Sequence, residues 1–141
     1  MRKIEFRIID YIVKNHTRPG PWACTLSPRD VVEKTEGGVI KYRLFGTAVI
    51  TIKPWVSPYF SNPDTGLMSL SLHRGRWRTS TTLSRFNAFL TYFVGATCWQ
   101  NDMFDWIVSQ PGDDHRDYEE GMAFIITRLP APGDTKEENR A

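Results

Sequence analysis

The sequence predicts an α+β fold in which a single antiparallel sheet of about five to six strands carries two helices on one face. Several apolar runs alternate with polar residues, most turns between them are short, and no alternating strand–helix rhythm points to a parallel sheet. The chain has 141 residues, of which 40% are hydrophobic and 13% aromatic, enough for one core. We therefore expect one domain over residues 1–129. A flexible tail is expected over residues 130–141, which combine Pro, Gly and charge with almost no apolar content.

The first predicted element is a helix over residues 2–14. Its apolar positions recur at helical spacing, at Ile4, Ile8, Tyr11 and Ile12. The alternation of Ile4, Phe6 and Ile8 would also fit a strand, but it fails at Ile9, so the helix is favoured. Pro and Gly punctuate residues 15–30, which predicts a loop anchored by Trp22 and Leu26.

Strands are expected next. Two alternating runs around Gly37 and Gly38 predict a hairpin over residues 31–44. Further strands are predicted over 48–52, 68–73, 96–108 and 122–127. The 96–108 segment fits either two strands around an Asn101-Asp102 turn or one bulged strand. Residues 54–66 contain three prolines and predict an excursion that covers another part of the molecule.

A second helix is predicted over residues 82–93, with Thr81 as its N-cap and Gly95 after its end. Its apolar stripe consists of Leu83, Phe86, Phe89, Leu90 and Phe93. The residues expected nearer solvent are Ser84, Arg85, Asn87, Ala88 and Thr91.

The charge distribution is more informative than the formal net charge of +2. Residues 71–90 hold four arginines and no acid, whereas residues 100–120 hold seven acids and one arginine. Helix N-termini attract anions, so the basic stretch predicts a site for phosphate or nucleic acid. The candidate residues are Arg74, Arg76, Trp77, Arg78, Thr81, Thr82, Arg85 and Asn87. In the alternative, the arginines pair with the acids of 100–120 and Trp77 lies in the core.

The sequence shows no evident set of catalytic or metal-binding residues, so we expect a non-enzymatic protein without a cofactor. His16, His73 and His115 lie in different settings without metal-ligand spacing, and no nucleophile elbow or phosphate-binding glycine loop occurs. His115 with the acids 113, 114 and 117 could bind a metal, but a solvated acidic loop is the simpler reading. Cys24 and Cys98 form no Cys-x-x-Cys pair, which favours a reduced, intracellular protein.

A protein-contacting patch is a further candidate, formed by Trp55, Tyr59 and Phe60, because aromatic residues favour interface centres. The same residues could instead fold over the domain's own core. The chain lacks a signal-peptide pattern and any apolar run of membrane-spanning length. We therefore expect a soluble, cytoplasmic protein without membrane contact.

The basic stretch also carries a family resemblance. Arg76-Trp77-Arg78-Thr79-Ser80-Thr81-Thr82-Leu83-Ser84-Arg85-Phe86-Asn87 is similar to a Gly-Trp-x-Thr-x-Thr-Thr-x-x-Arg-x-Asn pattern of small uncharacterised bacteriophage proteins. Further similar segments are 44–50, 99–108 and 120–122. The sequence departs from the pattern at Arg76, Phe45 and Thr47, where the family prefers Gly, His and Asn.

This resemblance implies a phage-type origin and a compact α+β domain, and it carries over no catalytic residue. The leading functional hypothesis is a phage accessory protein that binds nucleic acid or another phosphate-rich partner through the basic stretch. The alternative is a protein-interaction module that engages a host factor or a virion component.

Overall fold

The computed structural model describes residues 1–55, 67–112 and 115–129. A six-stranded antiparallel sheet forms its centre, in the spatial order β1-β2-β3-β4-β5-β9. Its strands are β1 (Trp22–Ser27), β2 (Asp30–Lys34), β3 (Ile40–Leu44), β4 (Thr47–Pro54), β5 (Met68–Leu72) and β9 (Ala123–Ile125). The chain thus meanders through five neighbouring strands before the last one closes the far edge.

Two helices pack on this sheet, α1 (Lys3–Asn15) and α2 (Ser80–Phe93). They contact each other, and both contribute side chains to the core that covers the sheet. The predicted α+β class and both predicted helices are therefore confirmed. Helix α2 ends as predicted, because Gly95 has a φ of 80° and donates its N–H to the Leu90 carbonyl at 2.8 Å.

Three short strands form a second sheet, namely β6 (Thr97–Gln100), β7 (Trp106–Ser109) and β8 (Arg116–Asp117). Strands β6 and β7 pair around a turn at Asn101, so the single bulged strand is the wrong alternative for residues 96–108. The segment also does not extend the main sheet. Strand β6 follows α2 after only three residues and packs against that helix, so its pairing partners lie beside α2.

The register of the main sheet places one row of buried side chains under the helices. Val32, Tyr42, Ile50 and Leu72 are cross-strand neighbours, each at most 1% exposed. Asp30 continues this inward face at the start of β2. An acid therefore occupies a core position.

The predicted loop over residues 15–30 is wrong in part, because Trp22–Ser27 forms the edge strand β1. It pairs with β2 from Trp22 to Ser27 and alternates half-buried with exposed residues over most of its length. A short strand, β8, similarly occurs in the acidic stretch. The predicted excursion lies mostly outside the described residues, as does the predicted tail after residue 129.

Candidate functional site

In the basic stretch, Arg85 is fully buried. Its Nη1 donates to Glu5 Oε2 at 2.8 Å, and its Nε donates to Asp30 Oδ1 at 3.1 Å and to the Tyr42 hydroxyl at 2.9 Å. Ser84 donates to the same Glu5 oxygen at 2.6 Å. The prediction that Arg85 faces solvent is therefore wrong, and the same holds for Ala88, which is 4% exposed. Arg85 connects α2 to α1 and to two strands.

The ionisation of this buried network follows from its contacts. Burial alone would raise the pKa of Asp30, but hydrogen bonds from Ser27, Tyr42 and Arg85 and the Arg85 charge outweigh it, so the pKa lies below the usual 3.8. Burial and the neighbouring Asp30 raise the pKa of Tyr42, so its phenol stays protonated and donates to Asp30. The Asp30 carboxylate is therefore anionic and accepts hydrogen bonds from Ser27, Tyr42 and Arg85. It stabilises the Arg85 charge and, being fully buried, is not accessible to a ligand.

Two further candidates on α2, Thr82 and Asn87, also have structural partners. Thr79, not Thr81, is the N-cap, because its hydroxyl accepts from the Thr82 amide at 3.2 Å. Thr82 is buried, with its own hydroxyl 3.1 Å from that of Thr79. Asn87 accepts the Cys98 amide at 3.0 Å and so connects α2 to β6. Thr81 lies half-buried in the first turn.

Arg74 lies against aromatic rings. Its guanidinium is 4.8 Å from the Trp106 ring centre and 4.5 Å from that of Tyr118, and its buried Nε has no hydrogen-bond partner. Among the described residues, no ion pair joins Arg74, Arg76 or Arg78 to an acid of 100–120. The two blocks meet through the backbone instead, because Glu120 accepts the Gly75 amide at 3.0 Å.

The surface that remains combines arginine with aromatic rings. Trp77 is half-buried and stacks on the exposed Phe45 with ring centres 5.7 Å apart, while its Nε1 donates to Thr47 at 3.2 Å. Exposed Arg78 donates to the Phe104 carbonyl at 3.2 Å, which joins the start of α2 to the β6–β7 turn. Arg76 is exposed beside them. We call Phe45, Arg76, Trp77, Arg78 and Phe104 the aromatic–arginine surface.

Backbone strain coincides with this surface. Phe45 and Phe104 have positive φ values of 53° and 64°, and among the described residues they are the only ones other than glycine that do. Such a conformation is unfavourable for a bulky side chain and clusters at functional sites. Both rings are more than half exposed, at 55% and 69%. The turns therefore hold two large apolar side chains outward at a conformational cost.

A cleft of about 480 Å³ opens beside Phe45. Its lining comes from α1, from the β1–β2 turn and from the β3–β4 turn, and consists of Ile4, Ser27, Pro28, Arg29, Asp30 and Phe45. Phe45 therefore contributes to both the cleft and the aromatic–arginine surface. The two features form one continuous region.

The other predicted sites are only partly described. Trp55 is half-buried and its amide donates to the Leu67 carbonyl at 2.9 Å, whereas Tyr59 and Phe60 lie outside the described residues. In the acidic loop, His115 is exposed and its ring lies 4.9 Å from that of Trp99. Within the described ranges, no group of three or more His, Cys, Asp or Glu residues is arranged to hold a metal ion.

Ser71, His73 and Glu120 are in the order of a nucleophile, a base and an acid. Ser71 Oγ lies 3.1 Å from His73 Nε2, and His73 Nδ1 lies 3.9 Å from Glu120 Oε2. Ser71 is only 7% exposed, however, and its hydroxyl also approaches the Thr51 carbonyl at 3.5 Å. A triad also requires an accessible nucleophile and an oxyanion hole. The contact between Ser71 and His73 is explained by their spacing of two residues, with Ser71 on β5 and His73 directly after it, which puts both side chains on one side of the extended chain.

No known family model, curated protein or solved structure matches this chain. Neither helix in the described part of the molecule is long and apolar enough to cross a membrane. The site must therefore be interpreted from its own chemistry.

Several residues of this region were not predicted as site residues, namely Glu5, Asp30, Tyr42, Phe45 and Phe104. A signal existed for Glu5, which shares a helical face with Ile8, Ile9 and Ile12. The alternation of β2 likewise puts Asp30 on the face of Val32. No local signal distinguishes Phe45 or Phe104, because their exposure depends on turn conformation.

Proposed function

We propose that this protein is a non-enzymatic accessory protein of the phage type that binds a partner protein through the aromatic–arginine surface. The observation that carries the proposal is the exposed, strained pair of phenylalanines connected through Trp77 and Arg78. Aromatic residues and arginine are enriched at interfaces, and tryptophan and arginine contribute disproportionately to binding energy. A host-cell protein in the cytoplasm or a virion component would serve as the partner.

The charge around the surface favours a protein over a nucleic acid. Of the four arginines in residues 71–90, Arg85 is paired in the core and Arg74 lies against two aromatic rings. Only Arg76 and Arg78 of this group are left for phosphates. The turn that exposes Phe104 also carries the exposed acids Asp102 and Asp105, which would repel a phosphate backbone.

Site-specific photo-cross-linking tests the proposal. A benzophenone amino acid replaces Phe104 or Phe45 in separate variants, and replaces Phe6 as the control, because Phe6 is 61% exposed on α1 outside this surface. Each variant is irradiated in a nuclease-treated bacterial extract and in one from phage-infected cells. We expect one and the same protein to be linked from positions 104 and 45 and not from position 6.

Two further outcomes decide against this function. Cross-links that are equally abundant from position 6 indicate a non-specific adduct, and the absence of any shared product from positions 45 and 104 contradicts a protein partner. Arg78→Ala in the Phe104 variant provides the internal check. It should reduce the yield, since Arg78 holds the turn through the Phe104 carbonyl.

Single-stranded nucleic acid is the second candidate, because Trp77, which stacks on Phe45, is flanked in the sequence by Arg76 and Arg78, and bases stack on such rings. Fluorescence anisotropy with labelled single- and double-stranded oligonucleotides tests it at low and moderate salt. Binding that is lost in an Arg76→Ala, Arg78→Ala double variant would support it. Absence of binding near micromolar concentration at low salt would exclude it.

A further inference from the structure

The cleft beside Phe45 has walls from three separate elements. Ile4 comes from α1, Pro28 and Arg29 from the β1–β2 turn, and Phe45 from the β3–β4 turn. The two turns are fastened together, because the Phe45 amide donates to the Arg29 carbonyl at 2.9 Å. Its volume of about 480 Å³ is within the usual range for ligand pockets. The cleft is therefore large enough for a substantial apolar group.

The buried network fixes these walls. Asp30 lies beneath the cleft, where it accepts from Ser27 at 2.5 Å and binds Arg85. Arg85 in turn holds Glu5, the residue after Ile4 on α1. One guanidinium thus joins the helical wall to the strand that carries the turn wall. A cleft whose walls are already in place loses little conformational entropy on binding.

The chemistry of the lining defines what fits. Ile4, Pro28 and Phe45 supply apolar walls. Arg29 supplies a positive charge at the rim, where its side chain is 45% exposed although its Nε lies 3.6 Å from Asp30. Asp30 and Glu5 are at most 1% exposed, so their charges are withdrawn from a ligand.

Four further exposed residues beside the cleft lining are basic, because Arg2 and Lys3 precede Ile4 in the sequence and Arg76 and Arg78 adjoin Trp77. The exposed acids Asp102 and Asp105 belong to the β6–β7 turn, which does not line the cleft. An apolar group accompanied by carboxylates is therefore complementary to the cleft, and one accompanied by lysines is not.

We propose that the cleft is the anchor pocket of the aromatic–arginine surface and accepts one large apolar side chain from an acidic segment of the partner protein. This inference rests on the proposed function and names the chemistry of the partner. Phe45 connects the cleft to the aromatic–arginine surface, because the same ring lines the cleft and stacks on Trp77. The acidic segment would pair with Arg29 while its apolar side chain packs against Ile4, Pro28 and Phe45.

Selection from a displayed library of random 12-residue peptides tests the inference with the full-length protein as target. The expected consensus contains one Leu, Met or aromatic residue with Asp or Glu within a few positions. The best synthetic peptide should lose affinity by about tenfold or more on Arg29→Gln or Ile4→Ala, the cost of removing one buried anchor contact.

The matched control substitutions are on α1, the helix that carries Ile4. Arg7→Gln removes an exposed charge and Phe6→Ala an exposed apolar side chain, and neither residue lines the cleft. Both should leave affinity within about twofold, since surface contacts outside the interface contribute little. Each variant is first shown to keep the thermal midpoint of the parent, so that a loss of binding is not a loss of folding.

In the peptide experiment, the inference is overturned by a lack of enrichment over an empty support, by a consensus without acidic residues, or by affinity that Arg29→Gln and Ile4→Ala leave unchanged. The same variants, placed in the cross-linking protein, separate the two proposals. If the product from position 104 persists in them but is lost with Arg78→Ala, the surface binds a partner and the cleft does not. If an oligonucleotide suppresses the cross-linked product from position 104 and an acidic peptide does not, the cleft region binds phosphate. This result would overturn the inference as well.

Discussion

Arg85 holds a guanidinium group in the core between Glu5 and Asp30, and all three residues are at most 1% exposed. Arg85→Met retains much of the volume but leaves Glu5 without its counterion and Asp30 with only the more distant Arg29, 3.6 Å away. We expect the free energy of unfolding to fall by about 3–5 kcal/mol, the usual cost of breaking a buried ion pair. Urea denaturation followed by tryptophan fluorescence measures the change.

The control for this variant is Arg76→Met, an identical substitution at an exposed position. It should change the free energy of unfolding by no more than about 0.5 kcal/mol. Equal effects from the two substitutions would contradict a special role for Arg85. A milder loss in an Arg85→Met, Glu5→Gln double variant is expected, because one of the uncompensated charges is then absent.

Asp30 makes the stability of the protein depend on acid pH. Its pKa in the folded protein lies below the ordinary 3.8, so the unfolded chain binds a proton first as the pH falls. The contribution of Asp30 is therefore complete well above pH 3.8 and is lost progressively below it, as the pH falls toward the folded pKa. Carboxyl NMR of the labelled protein should show Asp30 more than half ionised at pH 3.8. A folded pKa at or above that value would contradict the prediction.

Arg85 also shows what residue patterns can and cannot predict. The helical stripe of α2 was anticipated, yet Arg85 lies on its buried side with Thr82 and Phe89. A charged residue in a helix is normally assigned to solvent, because burial without a partner is prohibitive. Here the partners lie 80 and 55 residues away in the chain, on α1 and β2. Only the tertiary fold brings them together.

At the start of helix α2, two threonine substitutions can be compared directly. Thr79 accepts the Thr82 amide, whereas Thr81 lies in the first turn without capping the helix. Thr79→Ala should lower the free energy of unfolding by about 1 kcal/mol, the usual cost of losing an N-cap. Thr81→Ala should have a smaller effect or none. The opposite ranking in thermal or urea denaturation would restore Thr81 as the cap.

The elements differ in how far the sequence predicts them. Both helices and the β2–β3 hairpin follow from clear periodicity and a Gly-Gly turn. Strand β1 was missed although Trp22, Cys24 and Leu26 alternate with smaller or polar residues, because nearby Pro and Gly suggested a loop. It pairs along only one side, as the edge strand of the sheet. The split of the strands into two sheets depends on the packing of β6 on α2, which no local pattern encodes.

The two sheets of the molecule share one hydrophobic core. Val108 and Trp106 from the small sheet belong to the same buried cluster as Val32 and Leu70 from the large one, with Phe86 of α2 among them. Trp106 contacts Phe86 edge to face, with ring centres 5.8 Å apart. A shared core predicts that the small sheet does not open by itself.

Cys98 reports on this cooperativity. It is 4% exposed on β6, and burial raises the pKa of its thiol to about 12 despite the nearby Arg74 charge, so almost no reactive thiolate exists in the folded protein. In a Cys24→Ser variant, which leaves Cys98 as the single thiol, labelling by a disulfide reagent should require unfolding. Across urea concentrations, the free energy derived from labelling rates should match that from fluorescence within about 1 kcal/mol, as two-state unfolding requires. A much smaller free energy from labelling would mean that β6 and β7 separate from α2 before the large sheet unfolds, and the molecule would then consist of two cooperative units rather than one.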